Sequence, residues 1–299
     1  EGRTATRPPA PLGSPALGVM GEPICRNLLK KSGLPVTAFD LAAEPLARIK
    51  ADGGSIAPSV KELCAASDVI FYCLPSGKHV EKLFSNAGGL LESARAGQTV
   101  VDLGTSPVGL TRDVAKRLAT KNVAFADAPI ARTREAAING TLSVMVGATP
   151  ELFAAIEPLI RHFASEVTLC GGTGAGQVTK ILNNMVLFET VNALAEAAAI
   201  ARRSGVEPKL LFETLSKGSA DSFALRNHGL KAMIPGVFPD RAFSTEYALK
   251  DLGYALDLAR DVGITLPGAE LASAVLQQTI DQGYGEQYWP VIVKVVDQD

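Results

Sequence analysis

Leu17-Gly18-Val19-Met20-Gly21-Glu22-Pro23 opens a helical pattern that continues through Asn27, Leu28 and Leu29, and the apolar run that follows, Val36-Thr37-Ala38-Phe39, ends on Asp40. In a dinucleotide-binding fold, glycines in such a turn let the backbone approach a pyrophosphate at a helix N-terminus. An acid about 20 positions further on binds the ribose hydroxyls. Gly18, Val19, Met20 and Gly21 are therefore candidate cofactor contacts, with Asp40 as the ribose ligand. The full GxGxxG pattern needs glycine at 16, where the chain has Ala16. An ordinary turn followed by an unrelated surface acid is the competing reading. If a dinucleotide binds, the Asp40 carboxylate accepts from a ribose diol and repels a 2′-phosphate, which favours NAD over NADP. Leu41-Ala42-Ala43 supply no arginine to reverse that preference, and Arg48 folding back onto a phosphate is the less favoured arrangement.

Outward from this turn, short apolar runs alternate with helical patterns up to about residue 170. The strand candidates are 36–39, 69–74, 99–103, 123–126 and 142–146. Several are apolar at consecutive positions, as expected of strands covered by helices on both faces, so the rhythm predicts an α/β domain with a doubly wound parallel sheet. After Gly176 the pattern becomes helical. Residues 177–204 read as one helix of roughly 28 residues, about 42 Å long, and Gly and Pro punctuate several more helical stretches beyond it. The expected layout is an irregular Pro-rich segment at 1–16, a Rossmann-like domain at 17–174, and a long interdomain helix leading an all-α domain at 175–299. The first strand of the sheet should precede Gly18. There the chain reads Arg7-Pro8-Pro9-Ala10-Pro11-Leu12-Gly13-Ser14-Pro15-Ala16, and proline removes ladder donors, so this segment does not look like a central strand; a distorted strand that tertiary context still forces into place, a sequence irregularity and a loss of cofactor affinity are the open explanations.

Composition narrows the function. The 29 basic and 31 acidic residues of the 299-residue chain nearly cancel, which removes the electrostatic reason to propose nucleic acid as a partner. No apolar run is long enough to read as a membrane span. Cys25, Cys64, Cys73 and Cys170 are widely spaced, so neither a zinc site nor a disulfide framework is indicated and a cytoplasmic setting is expected. His79, His162 and His228 stand in no motif and read as structural or surface residues.

Four stretches together resemble the 3-hydroxyisobutyrate dehydrogenase family of β-hydroxyacid dehydrogenases over almost all of residues 17–295. They are the turn Gly18 to Pro23; Asp127-Ala128-Pro129 with Gly140-Thr141-Leu142; the run Gly171-Gly172-Thr173-Gly174-Ala175-Gly176-Gln177-Val178-Thr179-Lys180-Ile181-Leu182-Asn183-Asn184; and Lys250-Asp251-Leu252. The resemblance implies reversible hydride transfer between a hydroxyl-bearing carbon and a nicotinamide, with Lys180 handling the hydroxyl proton as general acid or base. Asn184 lies one helical turn after Lys180 and so projects from the same face. It can orient the substrate or the lysine, and Asn183 competes for that role. Leu74-Pro75 and Thr105 follow strands and should face the cofactor crevice. Lys250, by resemblance, closes over the nicotinamide region, with Phe243 beside it.

One departure bears on the substrate. Many members carry Ser-Gly-Gly after Asp-x-Pro-Val, whereas this chain has Ala131-Arg132-Thr133. An arginine presents a charged fork of donors suited to a carboxylate, phosphate or sulfonate. A similar arginine-threonine variant occurs in members that resemble sulfolactaldehyde reductase. Arg132 is thus the candidate anion ligand, assisted by Thr133, with a surface ion pair as the plainer alternative. The expected substrate is a small anionic 3-hydroxy acid or semialdehyde, such as 3-hydroxyisobutyrate, tartronate semialdehyde or a sulfolactaldehyde-like compound. No metal is expected, and the Ala-rich stretch Ala193 to Ala201 suggests a homodimer or homotetramer. A catalytically weakened dinucleotide-binding or scaffold protein is the alternative. Imine reductases share the architecture but generally lack the lysine.

Overall fold

The computed structural model describes residues 11–240 and 242–297, and the chain divides between Lys180 and Ile181 into two compact units. The first is built on one sheet of β1 (Leu12–Pro15), β2 (Val36–Phe39), β3 (Ser55–Ile56), β4 (Val69–Tyr72), β5 (Thr99–Asp102), β6 (Ala124–Asp127), β7 (Ile130–Ala131), β8 (Leu142–Gly147) and β9 (Ala164–Gly171). The order is β3-β2-β1-β4-β5-β6-β8-β7, with β9 also pairing β8. The six strands from β3 to β6 are parallel, whereas β8 runs antiparallel to β6 and β7. Sequence order reverses at β1 and β4, so the carboxyl-end crevice where such sheets bind ligands lies beside these two strands.

Neighbouring residues on one strand feed separate cores, which is the mark of double winding. On β4, Phe71 packs with Ile24, Leu28, Ile156 and Ile160, while Ile70 and Tyr72 pack with Leu63, Val80, Phe84 and Val114. Burying each such large side chain contributes ~1.5–3 kcal/mol.

The Pro-rich segment requires a correction. Residues 12–15 form β1, a buried central strand paired with β2 along its whole length, and are not an irregular extension. The prolines fit because of register. Leu12 N–H donates to Pro35 O and Ala16 N–H to Phe39 O, so the even-numbered donors serve β2. Pro15 would donate to the other side, where pairing with β4 covers only Leu12 and Gly13. Its missing donor therefore costs no ladder bond. Pro11 contributes its carbonyl, which accepts from Asp68 and Val69. Pro8 and Pro9 lie outside the described residues.

The second unit takes up the long helix Ala175–Arg203 from Ile181 onward, followed by helices Pro208–Leu215, Thr245–Val262 and Pro267–Thr279 and a π-helical segment Leu225–Met233. Its described residues hold no strand, only isolated bridges such as Ser244 to Tyr288. Phe188, Phe212, Leu225, Leu252 and Trp289 are buried in its core. Among the described residues, no helix is long and apolar enough to cross a membrane.

Candidate active site

In the first unit the turn after β1 is shaped as a dinucleotide turn in every respect but one residue. Ala16 has φ +78°, the left-handed conformation that explains why glycine suits this position. Gly21 is sterically required, since a Cβ there would lie 2.4 Å from Ala16 O and push helix Gly21–Lys31 off β1. Gly18 faces open space. The helix N-terminus has no side-chain cap, leaving N–H groups and the positive end of the dipole available to an anion. Val19 is exposed and Met20 half-buried beside it. Asp40 follows β2 directly. Its Oδ2 accepts from Leu17 N–H at 2.5 Å and its Oδ1 from Ala42 N–H at 2.7 Å, which fixes the carboxylate against the turn. These residues fit a bound NAD(P).

The loops after β4 and β5 meet. A Cβ on Gly104 would stand 2.7 Å from Leu74 O, so Leu74-Pro75 and Gly104-Thr105 lie side by side, with Leu74, Pro75 and Thr105 each half-buried. Beneath them is a buried polar network that the motif reading did not assign. Gln177 donates from Nε2 to Gly104 O at 2.8 Å and accepts from Ser106 N–H at 2.9 Å. Asp102 accepts from Gly104 N–H and Ser106 Oγ. Burial pushes the Asp102 carboxyl up to about 7, against the pull of those hydrogen bonds. Asp127, at the end of β6, accepts from Gly174 N–H at 2.7 Å and Gln177 N–H at 2.8 Å. Burial raises its carboxyl above the ordinary value too. Room for it is made by Gly147 and Gly176, where a Cβ would strike the carboxylate. Through Asp127 and Gln177 the first turn of the long helix is fastened to the ends of β5 and β6. Lys180, half-buried, follows one turn later.

Arg132 lies in the left-handed region, φ +85°, at the position where the family pattern has glycine. Its Nη1 donates to Thr141 O at 2.6 Å and Ser165 Oγ at 2.8 Å. Thr133 accepts from Ala136 N–H and caps helix Arg134–Asn139.

In the second unit Asn184 is buried and donates from Nδ2 to Asp251 Oδ2 at 2.9 Å, while Asn183 is exposed and donates to Asn184 Oδ1. Asp251 is buried as well, and its Oδ1 is 3.0 Å from Lys250 Nζ. The Lys250 ammonium also lies 4.8 Å from the centre of the Tyr247 ring and 5.4 Å from that of Tyr254. Phe243 packs on Tyr247, one ring removed from the lysine. Asp251 stands in a quoted motif, but its role as partner to both Asn184 and Lys250 could be read only once two distant segments were side by side. His228 bonds to the Tyr288 hydroxyl, and burial lowers its imidazole to about 4, so it is neutral near pH 7. Among the described residues no group of three or more His, Cys, Asp or Glu side chains is arranged to hold a metal ion.

The family described as the NAD binding domain of 6-phosphogluconate dehydrogenase matches residues 12–172, and that described as NAD-binding of NADP-dependent 3-hydroxyisobutyrate dehydrogenase matches residues 174–296. The chain belongs to the 3-hydroxyisobutyrate dehydrogenase family. With that family it is an NAD(P)-dependent dehydrogenase of the class acting on CH–OH groups. It is 33% identical to 2-(hydroxymethyl)glutarate dehydrogenase of Eubacterium barkeri over 96% of this chain and 95% of that one. It is 31% identical to an NAD-dependent L-serine dehydrogenase of Pseudomonas aeruginosa, covering 94% and 96%. Among solved structures, Mycobacterium tuberculosis 3-hydroxyisobutyrate dehydrogenase with L-serine superposes with TM-score 0.88 at 26% identity, covering 97% of this chain and 99% of that one.

Proposed function

We propose that this 3-hydroxyisobutyrate dehydrogenase family member interconverts a short anionic 3-hydroxy acid and its semialdehyde, with Lys180 as general acid/base, Asn184 and Asn183 at the substrate and NAD as the preferred cofactor. The observation that carries the reading is the fastening of the Lys180 helix. Asp127 fixes its first turn to the end of β6 and Gln177 fixes it to the loop that presents Thr105, which supports a fixed backbone position for the lysine. Bound NAD(P) supplies the hydride acceptor. In the oxidation direction Lys180 takes the hydroxyl proton as the carbinol hydrogen leaves as hydride, and in reduction it returns that proton to the carbonyl oxygen. Asn184, held by Asp251, directs its amide by a fixed hydrogen bond, whereas exposed Asn183 is the weaker candidate.

Arg132 commits Nη1 to Thr141 and Ser165, so the edge formed by Nε and Nη2 is the one suited to a carboxylate or sulfonate. Asp40, fixed beside the turn, supports NAD over NADP. Lys250 belongs to the same reading as a cofactor-side cation held by Asp251. Exposed Val186 and Ile200 on the long helix support a homodimer or homotetramer, and the wide spacing of the cysteines supports a cytoplasmic setting. The alternative of a weakened cofactor-binding protein keeps one supporting observation, the left-handed Ala16. Following NADH formation across 3-hydroxyisobutyrate, L-serine, 2-(hydroxymethyl)glutarate and a sulfonated hydroxy acid tests the proposal. Turnover of at least one short hydroxy acid is expected, and NAD binding without turnover of any would leave the alternative standing.

A further inference from the structure

Glu22 sits in the first turn of the helix that follows the glycine turn, and Arg48 grips both of its oxygens. Nε donates to Oε1 at 2.6 Å and Nη2 to Oε2 at 2.8 Å. Arg48 comes from helix Ala43–Ala51, which begins three residues after Asp40. Two more hydrogen bonds bring Glu22 and the ribose acid to the same turn. Glu22 N–H donates to Gly18 O, and Asp40 Oδ2 accepts from Leu17 N–H, one residue away. Asp40 is thus bonded to the turn at Leu17 and the Glu22 backbone to it at Gly18, and the Arg48 guanidinium is held on the Glu22 side chain. On its other side Glu22 is the single acid lining a groove of about 270 Å³ whose cations are Arg26, Lys30 and Arg134. The Arg48 hydrogen bonds hold the Glu22 carboxyl below its ordinary value, with Arg26 and Arg134 adding to the effect.

We propose that Glu22 is a selectivity gate for the dinucleotide, keeping Arg48 from a 2′-phosphate. The inference rests on the reading of this turn as the dinucleotide site with Asp40 as ribose ligand. A guanidinium recognises phosphate through two parallel donors, and the Nε–Nη2 edge of Arg48 is occupied by Glu22. A 2′-phosphate arriving there meets the carboxylates of Asp40 and Glu22 against one committed arginine. Neutralising Glu22 removes one repelling charge and releases the arginine edge. Arg48 is about half accessible although the Glu22 side chain is mostly covered, so solvent screens the pair and the near-isosteric Glu22→Gln keeps the packing that covers Glu22.

Calorimetric titration of NAD⁺ and NADP⁺ into wild type, Glu22→Gln, Arg48→Ala and the double variant tests the gate, with circular dichroism confirming that each is folded. Glu22→Gln is expected to tighten NADP⁺ by about tenfold, the scale of one charge-assisted hydrogen bond, while NAD⁺ changes by no more than about twofold. In the double variant the gain should disappear. Equal changes for the two nucleotides, no change, or a gain that survives loss of Arg48 would overturn the gate while leaving the site reading intact. A wild-type protein that binds neither nucleotide would overturn both.

Discussion

Replacing Asp102 with Asn should stabilise the protein at alkaline pH and leave it nearly unaltered in acid. Burial takes the Asp102 carboxyl from 3.8 to about 7, a gap of about three pH units. At about 1.36 kcal/mol per unit, ionising it inside the fold costs on the order of 4 kcal/mol. The sign follows from where each state holds the proton. Below pH 3.8 the group is protonated in both folded and unfolded chains and contributes no slope. Between pH 3.8 and about 7 the unfolded chain loses the proton while the fold retains it, so stability falls as pH rises. Above about 7 the whole cost is present. The carboxamide of Asp102→Asn can still accept from Gly104 N–H and can donate to Ser106 Oγ, as the protonated carboxyl does, so in acid the comparison is between two neutral groups. Thermal unfolding followed by circular dichroism from pH 4 to 8.5 should show the two proteins converging near pH 4. The variant should melt higher above pH 7, by on the order of 5–10 °C. Parallel curves separated by a constant offset would refute the assignment of Asp102 as a strained buried acid.

Two further outcomes can be checked more simply. Arg132→Ala should raise KM for the anionic substrate by at least about tenfold, the loss of a charge-assisted contact. NAD⁺ affinity, read by calorimetry, should stay the same, and an unchanged KM would remove Arg132 from the substrate site. Ala16→Gly relieves a left-handed conformation that costs an L-residue roughly 1–2 kcal/mol, offset by roughly 0.4–1 kcal/mol of added freedom in the unfolded chain. The variant is expected to be slightly more stable, and a lower melting temperature would contradict the strain.

Most of the sheet was legible because the runs around Val36, Val69, Thr99, Ala124 and Leu142 are apolar at consecutive positions, which a strand covered on both faces requires. β1 was not, because local chemistry counts prolines without knowing which side of the strand lacks a partner. Only the pairing of β1 with β2 and β4 shows that Pro15 falls where no donor is needed. β9 went unread for a different reason. Residues Ala164–Gly171 pair with β8 alone and carry exposed polar side chains, so the apolar signal is weak. At the candidate site, Lys180 was legible through the family resemblance of the run Gly171 to Asn184, and the one-turn spacing put Asn184 on the same helix face. Their supports were not legible, since Gln177 reaches Gly104 across 73 positions and Asp251 reaches Asn184 across 67. Contacts at such separations leave no trace in local periodicity.

The central claim is that Lys180 moves the proton of a hydroxy acid whose carbon exchanges hydride with bound NAD. Its most direct test is the Lys180→Ala variant, with NADH binding measured by calorimetry and kcat by NADH formation on the best substrate of the panel. Unchanged NADH affinity with kcat lowered by about 10²–10⁴-fold is the predicted result. A kcat within a few-fold of wild type, at unchanged affinity, would contradict it.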